Sequence, residues 1–599
     1  MLFSILLSGV LALTVPYGSE EPVSDSLYPV TITSDRGLVV SRIDSVSLSN
    51  VIDVSEALLR SHGLQVNDNG GLSALKTVSL RGMGGAHTAV YVDGVRVGNV
   101  QSGQPDMGLF DVASIGSVTV DYAQNSISFN TSRPEFGSSV FSGRVKMYAG
   151  SFGTYLPSLR LDFRLSDAYS LSANASGIFS EGDFKCPDGS LRVNNDISQG
   201  RAGLDLWGIL EDGDLHLKMY YNQAERGTPG ALTWPSSDRQ NDRNGFVQGV
   251  LRKRFSKLYS MNVSMKGAYD DLRYFSSYGD SRYGQTEIQL NSSHSFRLSD
   301  AWTISAAADF WWDGLNSTNY SASRTSVLAA VGASYRTERI SANAVLEYSG
   351  SFDKGALSRN AFSPSVDIRA GVMKGLDIVA FARRAYRVPT FNELYYAGFG
   401  NPSLRPEDAW LTDIGLDYAS KPVLNDFRFK AKLNAFYNRL TDKIISAPTS
   451  EDPNIWLPYN IGKVRTAGAD ALFGIVFSKD KWLVSSDVKY SYISSVDLLT
   501  DAPVPFTAKH VISVNADADY AGWSLNALWQ MRAGRSDGYG ALPAWNTLDA
   551  SFSKKFSLWK SHVLGIKIMI KNILDCRYET VNGYPMPGRS FMGGIEYRF

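Results

Sequence analysis

No apolar run in this sequence is long enough to cross a membrane as a helix. The longest, Leu2 to Val15, falls short of the roughly 20 residues that a spanning helix needs. It stands where the hydrophobic part of a secretory leader belongs, so residues 1–19 are expected to be a signal peptide, although no Lys or Arg precedes the run. Cysteine is almost absent. Cys186 and Cys576 are the only two, which excludes cysteine-based zinc clusters and iron–sulfur cages, and no cysteine follows the leader to carry a lipid. The six histidines form no H-E-x-x-H pair. Excess charge is missing too: 59 Lys+Arg balance 59 Asp+Glu, which leaves no basic footprint for nucleic acid. The glycine-rich stretch Arg81-Gly82-Met83-Gly84-Gly85 lacks both the G-x-G-x-x-G and the Walker spacing and has no helix after it, so no nucleotide site is expected there.

What the chain does have is glycine (53 residues) and aromatics (12%, with 30 Tyr and 12 Trp), a combination that suits many strands, tight turns and rings at a membrane interface. A hydrophobic share of 44% looks soluble. It is equally expected of a membrane barrel, in which only alternate residues of each strand face lipid.

Residues 20–35 are polar, rich in Ser and Pro and without a sustained apolar period, as expected of a mobile arm. Within them Pro29-Val30-Thr31-Ile32-Thr33 is a β-prone patch able to add as a strand to a partner's sheet edge. Residues 36–138 read as a small α/β domain. Its helix should run from Ser55 to Ser61, with Asp53 and Glu56 as a capping box and Gly63 as the stop. Its strands should be Thr77–Leu80, Ala89–Val92, Val95–Val97 after an Asp93-Gly94 turn, and Gly116–Asp121.

From Ser139 to Phe599 the pattern is uniform, with period-2 strands of about ten residues joined alternately by short and longer polar links. In Arg428–Asn438, Phe429, Ala431, Leu433, Ala435 and Tyr437 suit lipid, whereas Arg428, Lys430, Lys432, Asn434 and Phe436 suit a lumen. Ten short turns, at residues 166–167, 212–213, 255–258, 298–300, 337–338, 373–375, 421–425, 479–480, 520–521 and 559–561, divide the segment into about 22 strands. The fold expected is all-β: an antiparallel transmembrane β-barrel of about 22 strands, occluded by a small N-terminal α/β plug.

Several motifs together resemble one family. Val78-Ser79-Leu80-Arg81-Gly82 followed by Val90-Tyr91-Val92-Asp93-Gly94 is similar to the plug signature of the TonB-dependent outer-membrane receptors. The segments Arg384–Tyr395 and Asn401–Glu407, then Lys571-Asn572-Ile573-Leu574-Asp575, resemble characteristic barrel segments of that family, and Tyr597-Arg598-Phe599 resembles the aromatic-ended strand read by outer-membrane assembly machinery. One departure is that residues 121–128 lack the family's Arg-Gly-Pro. The resemblance implies an outer-membrane transporter of a Gram-negative bacterium and no enzyme. It makes Pro29 to Thr33 the candidate TonB box and Arg81, Gly82, Asp93 and Gly94 the plug motif. Implied partners are TonB with ExbB and ExbD, outer-membrane lipid and a small-molecule nutrient, with a surface lipoprotein as a further candidate.

Size and motifs resemble the vitamin B12 branch most, which points to cobalamin. A ferric siderophore or haem is the alternative within the family, and a passive porin or surface-binding barrel lies outside it. Candidate ligand contacts are Trp234, Tyr395, Tyr396, Phe399, Trp456 and Tyr459. No cofactor is required, but Asp183, Asp188 and Asp196 form an oxygen-rich loop that could hold calcium. Cys186 and Cys576 are candidates for a disulfide between neighbouring outer loops.

Overall fold

The computed structural model describes residues 43–48, 51–136, 139–354, 358–423, 426–448, 456–559 and 561–599. The expected leader, arm and TonB box lie outside the described residues. The N-terminal domain is built on a five-stranded sheet in the order β1 (Ile43–Val46), β6 (Ile115–Asp121), β7 (Ser126–Thr131), β4 (Ala89–Val92), β5 (Val95–Val97). A separate hairpin joins β2 (Leu64–Asp68) to β3 (Lys76–Leu80). The β4–β5 turn carries positive φ at both Asp93 (52°) and Gly94 (86°), the conformation that lets a two-residue turn follow the strand twist.

Helix α1 (Val54–Leu58) is shorter than expected. Asp53 caps it by accepting from Glu56 N at 3.0 Å, but the Glu56 carboxylate reaches back to Ile52 N rather than to the cap, so the box is displaced by one residue. Beyond Leu58 the backbone tightens into i→i−3 bonds, Arg60 N to Ala57 O and Ser61 N to Leu58 O, before Gly63 reverses it at φ 63°.

Twenty-two antiparallel strands form a closed barrel, and the strand Ser590–Arg598 pairs back onto Phe141–Gly150. Gly143 N donates to Phe599 O at 2.8 Å and Phe599 N returns the bond at 3.0 Å. All ten short turns fall between the strands expected to flank them. The alternation is also as read, with Leu433 55% exposed and its neighbour Asn434 2% exposed. Trp302 and Tyr335, Trp482 and Tyr520, and Trp523 and Phe552 pair as rings beside the short turns, which marks an interfacial belt at that end. The strands are not uniformly about ten residues. They run from 9 in Val563–Lys571 to 24 in Trp456–Lys479, because ladder pairing continues past the apolar belt into the long-loop end.

The plug sits inside this wall and shares its core. Leu58, Leu64, Val118, Val120 and Ile127, all fully buried, belong to one apolar cluster with Phe381, Ala409, Leu411, Leu440 and Val464 of the barrel. No helix among the described residues is long and apolar enough to cross a membrane, so the crossing is made by strands.

Candidate functional site

The plug is fastened to the wall at three heights. At the first, Arg81 follows β3 at φ 49° and turns its side chain to the barrel strands. Its guanidinium donates to Asp470 at 2.7 and 3.1 Å and ion-pairs with Asp413 at 2.8 Å, while the rings of Tyr122 and Phe436 lie 4.7 and 4.2 Å away. The fixed fork of an arginine suits this place: it meets two carboxylates and presents its faces to the two rings. Gly82 follows at φ 69°, and a Cβ there would stand 3.0 Å from Thr507 and 3.3 Å from Ser495, so the Arg-Gly pair lets backbone press against the wall.

At the second height, Asp93 accepts from Thr131 N and Oγ1, both at 2.6 Å. Lys218 bridges to the same place, donating to Thr131 Oγ1 at 2.7 Å and to Asp205 at 2.9 Å. Asp205 also meets His216 Nε2 at 2.8 Å, and His216 stacks on Trp207 at 3.6 Å. Asp93, Asp205 and His216 are the one acid–imidazole trio among the described residues close enough to share a metal ion, but the Lys218 ammonium already supplies the cation.

A buried network supports the plug apex. Lys76 pairs with Asp53 and lies 3.8 Å from Asp68, while Asp106 accepts from Lys76 N and pairs with Arg226 at 2.9 Å. Burial alone would raise the Asp53 carboxyl, but the Lys76 ammonium overrides it and holds Asp53 at about 2. Burial dominates at Asp68, which is pushed up to about 6.

The third height is the long-loop end. His87 binds Glu407, which also takes Arg387 at 2.7 and 2.9 Å, and Arg387 meets Glu393 at 3.0 and 3.1 Å. Glu393 completes a capping box with Thr390 and so starts α2 (Phe391–Tyr395), a single turn inside the barrel mouth. The plug loop reaches it through the backbone, with Phe391 N donating to Val100 O at 2.9 Å and Asn392 N to Gln101 O at 3.1 Å.

Around α2 the structure gathers an aromatic cluster. Tyr320 lies 6.5 and 6.2 Å from the rings of Tyr395 and Tyr396 and donates to Asn392 at 2.6 Å. Tyr283 packs in the same cluster. Tyr395 donates to Asp353 at 2.7 Å, beside Arg324 and Arg359, which both pair with that carboxylate. Tyr320, Tyr395 and Tyr396 are half-buried over buried Tyr283, Phe391, Arg324 and Arg359, so ring faces and phenol hydroxyls stand beside the plug loop at the long-loop end, where a large ligand of mixed apolar and polar surface would meet them.

Of the predicted ligand contacts, Tyr395 and Tyr396 are in this cluster. Phe399 is half-buried in the same loop, and Asn401 of that loop donates to Pro458 O at 2.9 Å, which brings Tyr459 alongside. Trp234 is outside the cluster, 73% exposed at the tip of the hairpin Gly213–Ala231/Trp234–Arg254. The Trp456 side chain lies outside the described residues. Tyr283 and Tyr320 escaped the sequence reading, because nothing local separates two tyrosines at strand ends from interfacial rings.

Two expectations need correction. The aspartates of the candidate calcium loop are not brought together. Asp196 is bonded to Arg239 at 2.7 and 3.0 Å, which holds its carboxyl below the usual range; Asp188 caps Ser190 in its own turn; half-buried Asp183 is not drawn to either. The loop instead grips the plug: Asn195 accepts from Ser73 at 2.7 Å and donates to Gly70 O at 3.2 Å. Cys186 and Cys576 are both free thiols. Their loops do meet, but through Arg577, which donates to the Cys186 and Pro187 carbonyls at 3.4 and 2.9 Å.

Residues 188–573 match the family model described as TonB dependent receptor-like, beta-barrel, and residues 38–134 match the TonB-dependent Receptor Plug Domain. The chain belongs to the TonB-dependent receptors. It is similar to the vitamin B12 transporter BtuB of Vibrio vulnificus (strain YJ016), 23% identical over 93% of this chain and 91% of that one. It is also similar to the vitamin B12 transporter BtuB of Photobacterium profundum, 21% identical over 97% and 94%. Among solved structures it resembles the ferric citrate transporter FecA, at a TM-score of 0.76, 13% identity and coverage of 94% and 97%. It also resembles the Serratia marcescens hemophore receptor HasR, at 0.77, 13%, and 93% and 98%. These structural likenesses concern the fold. As a TonB-dependent receptor the protein resides in the bacterial outer membrane, with its short turns at the periplasmic face and α2 at the outer mouth.

Proposed function

We propose that this receptor takes up a cobalamin, driven by TonB with ExbB and ExbD. The observation that carries the reading is the end-to-end likeness to two vitamin B12 transporters, which runs through plug and barrel alike. The aromatic mouth is consistent with it, since a corrin ring offers broad apolar faces with an amide-rich rim. Ligand held between α2 and the plug loop Val97–Gln104 shifts the plug, Pro29 to Thr33 becomes available to TonB, and pulling opens the lumen. A ferric siderophore is the second reading, favoured by the tyrosine rings and hydroxyls beside α2, which would suit a catecholate as well as a corrin. Titration of purified protein with cyanocobalamin tests the choice, alongside uptake in cells with and without TonB. Saturable binding and TonB-dependent uptake support it; no binding, with tight binding of a ferric chelate, replaces it.

A further inference from the structure

One stretch of the lumen wall sets four cations against a single carboxylate. Where the barrel closes, the lipid side is apolar: Met147 is 56% exposed, Ile568 54% and Ile595 51%. Alternation therefore turns Arg144, Lys146, Lys567, Glu596 and Arg598 into the lumen. Glu596 is the single carboxylate among them, shared by Arg144 at 3.7 Å and Arg598 at 2.5 Å. Lys146 and Lys567 are half-buried, and among the described residues neither ammonium has a hydrogen bond or ion pair. Several other lumen cations find partners, as Lys218 does with Asp205, Lys266 with Glu287 and Lys430 with Asp487.

The plug also stands off here. It is tied on one side by Glu56 to Lys571 at 2.8 Å and on the other by Ser132 O, which accepts from Arg160 at 2.7 Å. Between these ties, among the described residues, no plug side chain bonds to the strands Phe141–Gly150 or Ser590–Arg598. Gly565 and Gly594 replace side chains on the same inner face, Gly565 opposite Glu596 and Gly594 opposite Lys567 and Tyr148. A wall with four cations against one carboxylate concentrates counter-charge, and an ammonium beyond bonding distance of its cross-strand carboxylate can still take an anionic oxygen.

We propose that this strip forms one wall of the route by which cargo passes the plug, and that it favours cargo bearing a phosphate or carboxylate group. The inference rests on the transport reading above and adds the path and the charge class. Its test uses the full chain with Cys186→Ser and Cys576→Ser, and a reporter thiol at Tyr148→Cys, which shares the inner face. In purified protein the thiol should react about tenfold faster with a sulfonate-bearing thiol reagent than with a trimethylammonium one. Lys146→Gln/Lys567→Gln should abolish that preference, and Lys146→Arg/Lys567→Arg should keep it. In cells, the Gln pair should bind cyanocobalamin at the surface as the parent does but take it up several-fold more slowly, and the Arg pair should behave as the parent.

Equal reaction with both reagents overturns the proposal, as does native-rate uptake by the Gln pair. A preference that emerges only after deletion of residues 20–36 would assign the strip to the chain's own acidic arm (Glu20, Glu21, Asp25, Asp35) and overturn it too. Absence of any cyanocobalamin binding by the parent would sink the cargo reading instead, and the reagent preference would still decide the strip.

Discussion

Replacing Arg81 with methionine should unseat the plug. The guanidinium is 4% exposed, and the carboxylates of Asp470 and Asp413 that it meets at 2.7 and 2.8 Å are 1% and 0% exposed. With charge centres about 4 Å apart and an effective dielectric near 20, each attraction is about 4 kcal/mol. Desolvation offsets much of that while all three groups are present. Deleting only the cation strands two buried carboxylates, and breaking a buried pair in this way costs about 3–5 kcal/mol. Loss of the contacts to Tyr122 and Phe436 adds about 0.5–2 kcal/mol. A total of about 5 kcal/mol, with a urea dependence of about 1 kcal/mol/M for a domain of plug size, moves plug release by about 5 M. Release can be followed by labelling a thiol at Ser128→Cys, a position 2% exposed in β7, again with Cys186 and Cys576 replaced by serine. The triple variant Arg81→Met/Asp413→Asn/Asp470→Asn removes the stranded charge and should recover most of the loss. A shift below about 1 M for Arg81→Met, or no recovery in the triple variant, would refute the reasoning.

Acid should firm the plug before it loosens it. Asp68 sits at about 6 when folded against an ordinary 3.8, so the folded plug binds a proton more tightly than the unfolded one and gains up to about 3 kcal/mol as pH falls from 7 towards 4. Below that, protonation of Asp53, held at about 2, removes its attraction to Lys76 and reverses the trend. Urea midpoints measured from pH 7 to 3 should trace this rise and fall, and Asp68→Asn should flatten the rise while keeping an acceptor for Gly70 N and Gly71 N. Tyr320→Ala and Tyr396→Ala should each weaken cyanocobalamin binding about tenfold in a titration, whereas Trp234→Ala, outside the cluster, should change it little. Ile32→Pro removes a backbone donor from the candidate TonB box and should abolish uptake with surface binding intact; normal uptake by that variant would remove the box assignment.

The barrel was legible because its physics is local. Each short connection needs polar or turn-forming residues, such as Asp212-Gly213 or Lys479-Asp480, and each strand must alternate to face lipid on one side. Strand length was not legible, since the alternation that marks lipid contact stops at the belt while hydrogen bonding goes on above it. Helix α1 ends earlier than Gly63 suggests, because sequence does not distinguish an α turn from the tighter i→i−3 turn that leads there. At the site, Arg81, Gly82, Asp93 and Gly94 stood out by resemblance. Their partners did not: Asp470 lies 389 positions from Arg81, and no short-range pattern connects the two. The dispersal of the candidate calcium-loop aspartates was hidden for the complementary reason. A cluster of aspartates and asparagines looks the same whether it converges on an ion or, as here, disperses to Arg239, to a turn and to the plug apex.

The seam that closes the barrel carries a consequence for its biogenesis. Gly143 completes its hydrogen bonding only with Phe599, and the strand holding one waits for the strand holding the other. During assembly that edge stays open until the last strand is in place. Throughout that interval the first wall strand presents a bare ladder of donors and acceptors beside an apolar outer face, the combination most prone to pairing with a stranger. The ring of Phe599 lies over Gly143, in space that a β-carbon there would claim. A side chain at position 143 would therefore act on the ring's closure, by lengthening the time the protein spends as an open sheet in need of a chaperone.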